Sequence, residues 1–330
     1  MAHTKHNKLT IVTGAAGFIG RNTVAELNAR GNTDLLLVDL LGTDEKWQNL
    51  VGLRYEDLIN PDELLKRVEA DSLGKIDSII HLGACSATTE RNADYLLENN
   101  YRYTRTLCQW CLKHDARFVY ASSAATYGDG SRGYDDDDRV TPTLHPLNMY
   151  GYSKHMFDLW AMKHGLFDRI VGLKYFNVYG PYEDHKGDMR SVVQKSYHQI
   201  GSVGEVSLFK SYKEGYADGE QKRDFIYVDD AVAVVRWLLA TPAVSGIFNV
   251  GTGTARSFRD LMTSMLAAVG RQPDIDYIEM PVSIRNSYQY FTEARTENLR
   301  RAGYNAAFTP LDAAVKRYVD GYLDRADRYR

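Results

Sequence analysis

Three features are scarce in this 330-residue chain, and each scarcity narrows what it can be. No apolar run approaches the ~20 residues that a membrane-spanning helix requires, so no span is expected. Cysteines number only three, Cys85, Cys108 and Cys111, which cannot form a disulfide framework and point to a reducing, cytoplasmic compartment. Cys108-Gln-Trp-Cys111 has redox-motif spacing but falls inside a helical pattern, without the strand and turn such a motif needs. Neither sign of charge dominates: the net charge is −3, with the two signs interspersed. That excludes the basic footprint of a nucleic-acid binder and the polybasic segment of a membrane-surface protein. The polar start, Met1 to Lys8, lacks the apolar core of a signal peptide and reads as a disordered tail or tag. Asp135-Asp-Asp-Asp138 has no companions at ligand spacing, so it reads as a solvated loop and no metal is expected.

What remains is a composition suited to a full core, 44% hydrophobic and 25% charged, in a length that fits one large domain or two unequal ones. Leu9-Thr-Ile-Val-Thr13 is a short β-rich run. It ends in Gly14-Ala-Ala-Gly17-Phe-Ile-Gly20, which opens a helical pattern through Val24 and Leu27. Strand, glycine turn and helix in that order let backbone N–H groups approach a pyrophosphate without Cβ obstruction. A second strand, Leu35-Leu-Leu-Val-Asp39, ends in an acid nineteen residues after Gly20, the position from which a ribose hydroxyl is held.

The alternation continues with Ser78–Leu82 as a strand leading into Gly83-Ala-Cys-Ser86, then a helix through Tyr95–Lys113. Arg117–Ala121 and Ile170–Tyr175 follow as strands. The expected fold is therefore α/β: a Rossmann-type, doubly wound parallel sheet over residues 9–180, with ligands at the carboxyl ends of its strands. Beyond Gly180 the elements shorten. Polar loops span 183–188 and 211–221, Lys222–Val228 and Gly246–Val250 read as strands, and helices follow near 230–239, 258–269 and 310–323. This predicts a smaller mixed α/β substrate-binding lobe over 181–330, with a stretch of about 222–255 interleaved with the first domain.

Tyr150-Gly-Tyr-Ser-Lys154 opens a further helical run. Four-residue spacing sets the Tyr150 hydroxyl and the Lys154 ammonium on one helix face. A cation there favours the phenolate, which can take a proton from an alcohol. The spacing alone proves little, because 23 tyrosines make chance matches common, and Tyr182-Glu-Asp-His-Lys186 is a second one, in a stretch without helical patterning.

Together Gly14, Gly17, Gly20, Asp39, Asp57, Ser122-Ser123, Tyr150, Lys154 and Asn177-Val-Tyr-Gly-Pro181 resemble the extended short-chain dehydrogenase/reductase family, whose members mostly act on nucleotide sugars. The likeness covers nearly the whole chain. It narrows at Gly83-Ala-Cys-Ser-Ala-Thr-Thr-Glu90, Asn99-Asn-Tyr101, Tyr120-Ala-Ser-Ser-Ala-Ala-Thr-Tyr-Gly128, Tyr175–Pro181, His185-Lys-Gly187 and Lys222-Arg-Asp-Phe225. These are similar to the branch that inverts C6 of the ADP-activated glyceromanno-heptose used for lipopolysaccharide. The resemblance implies a redox-neutral isomerase in which hydride leaves C6 to bound NADP, a 6-keto sugar reorients, and the hydride returns to the opposite face.

Two faces need two proton-transfer groups. The resemblance makes Tyr150 one, tuned by Lys154 with Ser123 on the reacting oxygen, and Lys186 the other. It carries cofactor contacts over to Gly14, Gly17, Phe18, Ile19, Gly20, Asp39, Leu40, Lys46, Leu82, Gly83, Ala84, Cys85, Ser86, Asn99, Lys154, Val178 and Lys186. Substrate contacts carry over to Ser86, Asn177, Asp188, Lys195, Phe209, Arg223 and Tyr288. Asp39 alone suggests NAD, since a carboxylate repels a 2′-phosphate. The branch nevertheless keeps an acid there and uses NADP, with a lysine at the place of Lys46, and NADP is favoured. Leu40, next to the acid, stands where the branch usually has asparagine. Asp188 and Lys195 stand where it usually has serine and histidine, at positions expected to face the substrate, which leaves the exact substrate open. A homo-oligomer, often a pentamer, is implied. Another nucleotide-sugar epimerase, a ketosugar reductase and a non-catalytic NADP-binding sensor stay as alternatives.

Overall fold

The computed structural model describes residues 9–285 and 288–329, so the expected tail at 1–8 lies outside the described residues. Alternating burial builds its centre. Ile11 and Val12, neighbours in β1 (Leu9–Thr13), are both fully buried but in different clusters, one on each face of the sheet. A strand buried on both faces belongs inside a parallel sheet, which here also contains β2 (Leu35–Val38), β3 (Asp57–Ile59), β4 (Ile76–His81), β5 (Arg117–Ser123) and β6 (Val171–Tyr175). On one face pack α1 (Phe18–Ala29) and α2 (Val228–Ala240). The other is covered by a continuous helix over 93–113 and by α3 (Met149–Lys163), through Trp110, Cys111 and Phe157.

The Gly246–Val250 strand returns to the edge of this sheet and pairs in parallel with β6, giving seven strands in the order Gly246–Val250, β6, β5, β4, β1, β2, β3. The order reverses between β1 and β4, and a crevice opens at such a switch point. The register places Thr13 opposite both Val38 and His81, and Ser123 opposite Tyr175. Gly14, Asp39, Leu82 and Ser123 therefore meet at one edge. A third cluster, with Val206, Leu208, Leu261, Met262, Met265 and Tyr318, forms the core of the later elements.

The expected single strand at 222–228 is two. Lys222–Arg223 pairs antiparallel with Arg256–Ser257, whereas Phe225–Tyr227 pairs in parallel with Asn177–Tyr179. The cause is Asp224. Its buried carboxylate accepts from Thr252 N and Oγ1, both at 2.7 Å, from Gly253 N at 2.9 Å and from Ala294 N at 3.0 Å, so the chain turns inward there. The solvated loop expected at Asp135–Asp138 is also corrected. Asp136 is buried and accepts from Asn249 N at 2.6 Å and Asn298 Nδ2 at 2.5 Å, pinning the edge strand; burial raises its pKa to about 6. Among the described residues no cluster suits a metal, and no helix is long and apolar enough to cross a membrane.

Candidate active site

A cleft of about 490 Å³ lies at the switch point. It is lined by Gly14, Gly17, Phe18, Ile19, Gly20, Asp39, Lys46, Leu82, Gly83, Ala84, Cys85, Ser86, Ser123, Tyr150, Lys154, Val178 and Lys186, all expected above. The glycine turn is closed by backbone packing. Gly14 has φ +67°, and a Cβ on it would fall 2.7 Å from Gly83 N; one on Gly20 would fall 1.9 Å from Gly14 O. Helix α1 starts after Gly17 with no side chain capping it. Its first N–H groups lack intrahelical partners, a ready site for an anion.

Asp39, just past β2, is engaged on both oxygens. Oδ2 accepts from Ala16 N at 2.8 Å, and Oδ1 accepts from Leu40 N at 2.7 Å and from Lys46 Nζ at 2.6 Å. The acid thus braces the glycine turn, and its charge is matched by Lys46. Asn49, which the sequence did not single out, donates to Ala16 O at 2.8 Å and meets His185 Nδ1 at 3.1 Å. It ties the glycine turn to the 184–189 turn.

Helix α3 begins at Asn148, whose side chain accepts from Gly151 N at 2.8 Å. Gly151 lies so near the segment after β5 that a Cβ would sit 2.7 Å from Ala125 O. This close approach sets Tyr150 beside Ser123. Burial raises the Tyr150 pKa, and the Ser123 hydroxyl works against that rise. Lys154 donates to Ala121 O at 2.9 Å, and burial brings its own pKa to about 8, opposed by Asp158. Behind it, Asp158 and Lys174 form a fully buried ion pair at 3.2 Å. Tyr120 OH and Ser122 Oγ donate to Asp158 at 2.8 and 2.7 Å, and Lys174 donates to Thr126 Oγ1 at 2.8 Å. A carboxylate one turn past Lys154, on the buried stripe, was the available signal for this network.

Lys186 also lines the cleft, on the short 3₁₀ segment Asp184–Met189. Its ammonium stands 5.2 Å from the Phe18 ring centre, and burial lowers its pKa against the pull of buried Glu183. His185 beside it is kept neutral, lowered to about 4 mainly by burial.

Several expected contacts lie elsewhere. Leu40 is 63% exposed, because the turn after Asp39 sends it outward. Asn99 misses the cleft. Its neighbour Asn100 shares the buried helical stripe with Leu96 and Thr104, and brackets Cys85 by accepting from its N–H and donating to its C=O, both at 2.9 Å. Asn177 is exposed between cleft-lining Phe176 and Val178. Asp188 and Lys195 are exposed and joined by a hydrogen bond from Lys195 Nζ to Asp188 O at 2.5 Å. Phe209, Arg223 and Tyr288 form a separate group beside a cavity of about 700 Å³ that Tyr288 lines. Arg223 is 8% exposed and, among the described residues, has no ion-pair partner; its guanidinium lies 5.4 Å from the Tyr288 ring centre.

A glycine turn at the switch point, an acid after β2, and a serine, tyrosine and lysine around the same cleft define a dinucleotide-using enzyme. The chain belongs to the NAD dependent epimerase/dehydratase family, whose model matches residues 10–251. Its curated relatives narrow this to an epimerase, and so an isomerase. A protein of Nitratidesulfovibrio vulgaris (strain DP4) named ADP-L-glycero-D-manno-heptose-6-epimerase is 55% identical, over 97% of this chain and 99% of that one. Another of that name, from Fusobacterium nucleatum subsp. nucleatum, is 46% identical over 97% of this chain and all of its own length (100%). The crystal structure of Helicobacter pylori ADP-L-glycero-D-manno-heptose-6-epimerase superposes with a TM-score of 0.80 at 26% identity, covering 97% of this chain and 99% of that one. A nicotinamide dinucleotide is the cofactor class of this family.

Proposed function

We propose that this epimerase inverts C6 of ADP-D-glycero-D-manno-heptose, giving the L-glycero epimer for lipopolysaccharide inner-core synthesis, with NADP as its cofactor. The observation that supports the reading best is that Tyr150 and Lys186, on unrelated elements, line one cleft. An epimerisation through a ketone needs a proton-transfer group for each face of the carbon.

The cleft suits the cofactor. Its glycine turn leads to an uncapped helix N-terminus, and the buried Lys154 ammonium, without an ion-pair partner among the described residues, faces the same space. Gly14, Gly17, Gly20 and Lys154 would hold the dinucleotide, and Lys46 would meet a 2′-phosphate beside the neutralised Asp39. When bound, the group supplies reversible hydride exchange with the sugar carbon.

The side chains do the remaining work. Tyr150 accepts the hydroxyl proton on one face and Ser123 orients the oxygen. Lys154, charged, favours the phenolate. Lys186, its proton loosened by burial, serves the other face. Arg223 offers a desolvated, planar fork to the diphosphate, with Phe209 and Tyr288 beside it. In this reading residues 9–180, with about 222–255, carry the cofactor and the rest of 181–330 covers the substrate. The enzyme works in the cytoplasm as a homo-oligomer.

Incubation with ADP-D-glycero-D-manno-heptose tests this. C6 inversion with no net change in cofactor oxidation state is expected. Net cofactor turnover would point to a reductase instead, and tight NADP binding without any reaction to a sensor.

A further inference from the structure

The segment carrying Lys186 is gripped from two sides. On one side Asn49 joins His185 to the glycine turn, at 3.1 Å and 2.8 Å. On the other stand residues of the C-terminal stretch, and their focus is Asp184, two positions before Lys186. Asp184 Oδ2 accepts from Tyr322 OH at 2.6 Å, while Oδ1 accepts from Arg328 Nη1 at 2.9 Å and from Gln194 Nε2 at 2.7 Å. The Asp184 and Arg328 side chains are each only 23% exposed, so solvent screens the pair weakly.

The flanking residues are held as firmly. Glu183, fully buried, accepts from Ser191 N at 2.6 Å and from Tyr318 OH at 3.2 Å. Tyr182 has φ +72°, a left-handed conformation that a bulky residue keeps only where its surroundings enforce it. They do: the Arg21 guanidinium lies 3.6 Å from its ring centre, and the rings of Tyr322 and Tyr329 stand 4.9 and 6.1 Å away. At the far end Gly187 turns with φ +52°. Lys186 itself makes no ion pair among the described residues, and its ammonium stands 5.2 Å from the Phe18 ring centre. Its place is set by its backbone, and its backbone by these contacts.

We propose that residues 319–329 act as a clamp on Asp184 that positions Lys186 for its half of the reaction, with Tyr322 and Arg328 as positioning residues. This rests on the reading of Lys186 as a proton-transfer group. Each proton-transfer group serves hydride removal from one C6 epimer, so a displaced Lys186 impairs one epimer and spares the other.

The test uses the full chain with its cofactor bound, comparing Arg328→Ala and the milder Tyr322→Phe, which removes one hydroxyl and keeps the ring, with Lys186→Ala. Single-turnover hydride transfer is measured from each C6 epimer, together with steady-state kcat and KM. Lys186→Ala identifies the dependent epimer. Both clamp variants are expected to slow that epimer roughly ten- to hundredfold, with the other epimer, KM and cofactor retention near wild type. Arg328→Lys should recover part of the rate. Wild-type rates in both clamp variants, with Lys186→Ala inactive on one epimer, would overturn the clamp and leave Lys186 in its role. Equal slowing of both epimers would make the contacts merely structural and also overturn it. A fully active Lys186→Ala would overturn the role of Lys186, and the clamp with it.

Discussion

Lys46 Nζ stands 2.6 Å from Asp39 Oδ1, in a pair whose side chains are 20% and 8% exposed. An acid that would repel a 2′-phosphate is thereby neutralised by a cation already lining the cleft. Replacing Lys46 by alanine should expose that negative charge and weaken NADP binding by about ten- to hundredfold relative to NAD. Titration with both cofactors measures the ratio, and an unchanged ratio would remove Lys46 from cofactor selection.

Tyr150→Phe and Lys186→Ala should each lower epimerisation by about 10²–10⁴-fold while cofactor stays bound. Substrate turnover and cofactor content of the purified variants check this. Full activity in Lys186→Ala would end the two-group reading.

The Lys154 pKa of about 8 should place an alkaline limit on activity in the proposed mechanism, where an uncharged Lys154 would no longer favour the phenolate. Ionised Asp158 raises that pKa, so Asp158→Asn should move the alkaline limb to lower pH. The same change leaves Lys174 buried without its partner and should cost about 3–5 kcal/mol of stability. Tyr120→Phe, which deletes one donor to Asp158, is the gentler companion, at about 1–3 kcal/mol. A pH–rate profile that stays in place in both variants would separate Asp158 from Lys154.

Gly20→Ala should destabilise the fold by about 1–3 kcal/mol or more, because the obstacle is the backbone oxygen of Gly14 rather than a side chain that can swing away. Thermal unfolding and cofactor binding report it, and a variant with unchanged melting temperature would contradict the close packing.

Acid should unfold the protein partly through His81. Its ring is buried between Thr13 Oγ1 at 2.7 Å and Thr104 Oγ1 at 2.8 Å, and burial lowers its pKa to about 3. In the unfolded chain it binds a proton near 6.5, so the unfolded state holds more protons between those values and stability rises with pH across that window. The contribution is complete above 6.5 and is lost as the pH falls toward 3. His185, lowered to about 4, acts in the same direction, and Asp136, raised to about 6, opposes both. Melting temperature against pH should show a shallower acid slope in His81→Gln than in wild type.

Local pattern was enough for the alternation of strands and helices, for the glycine turn with Asp39 beyond it, and for Tyr150 and Lys154 on one helix face. Each depends on residues within a few positions of one another, where backbone geometry alone dictates the outcome. Resemblance to a family added Lys46 and Lys186, which no spacing distinguishes from surface lysines. Tertiary structure alone decided the fate of the buried charges. Asp224 breaks a strand because Thr252, Gly253 and Ala294 are folded against it, and Asp136 is buried because Asn249 and Asn298 come to meet it. Asp158 finds Lys174, and Asp184 finds Arg328, from distant parts of the chain. A carboxylate reads as solvated in any short window, and only the partners that folding delivers make its burial affordable.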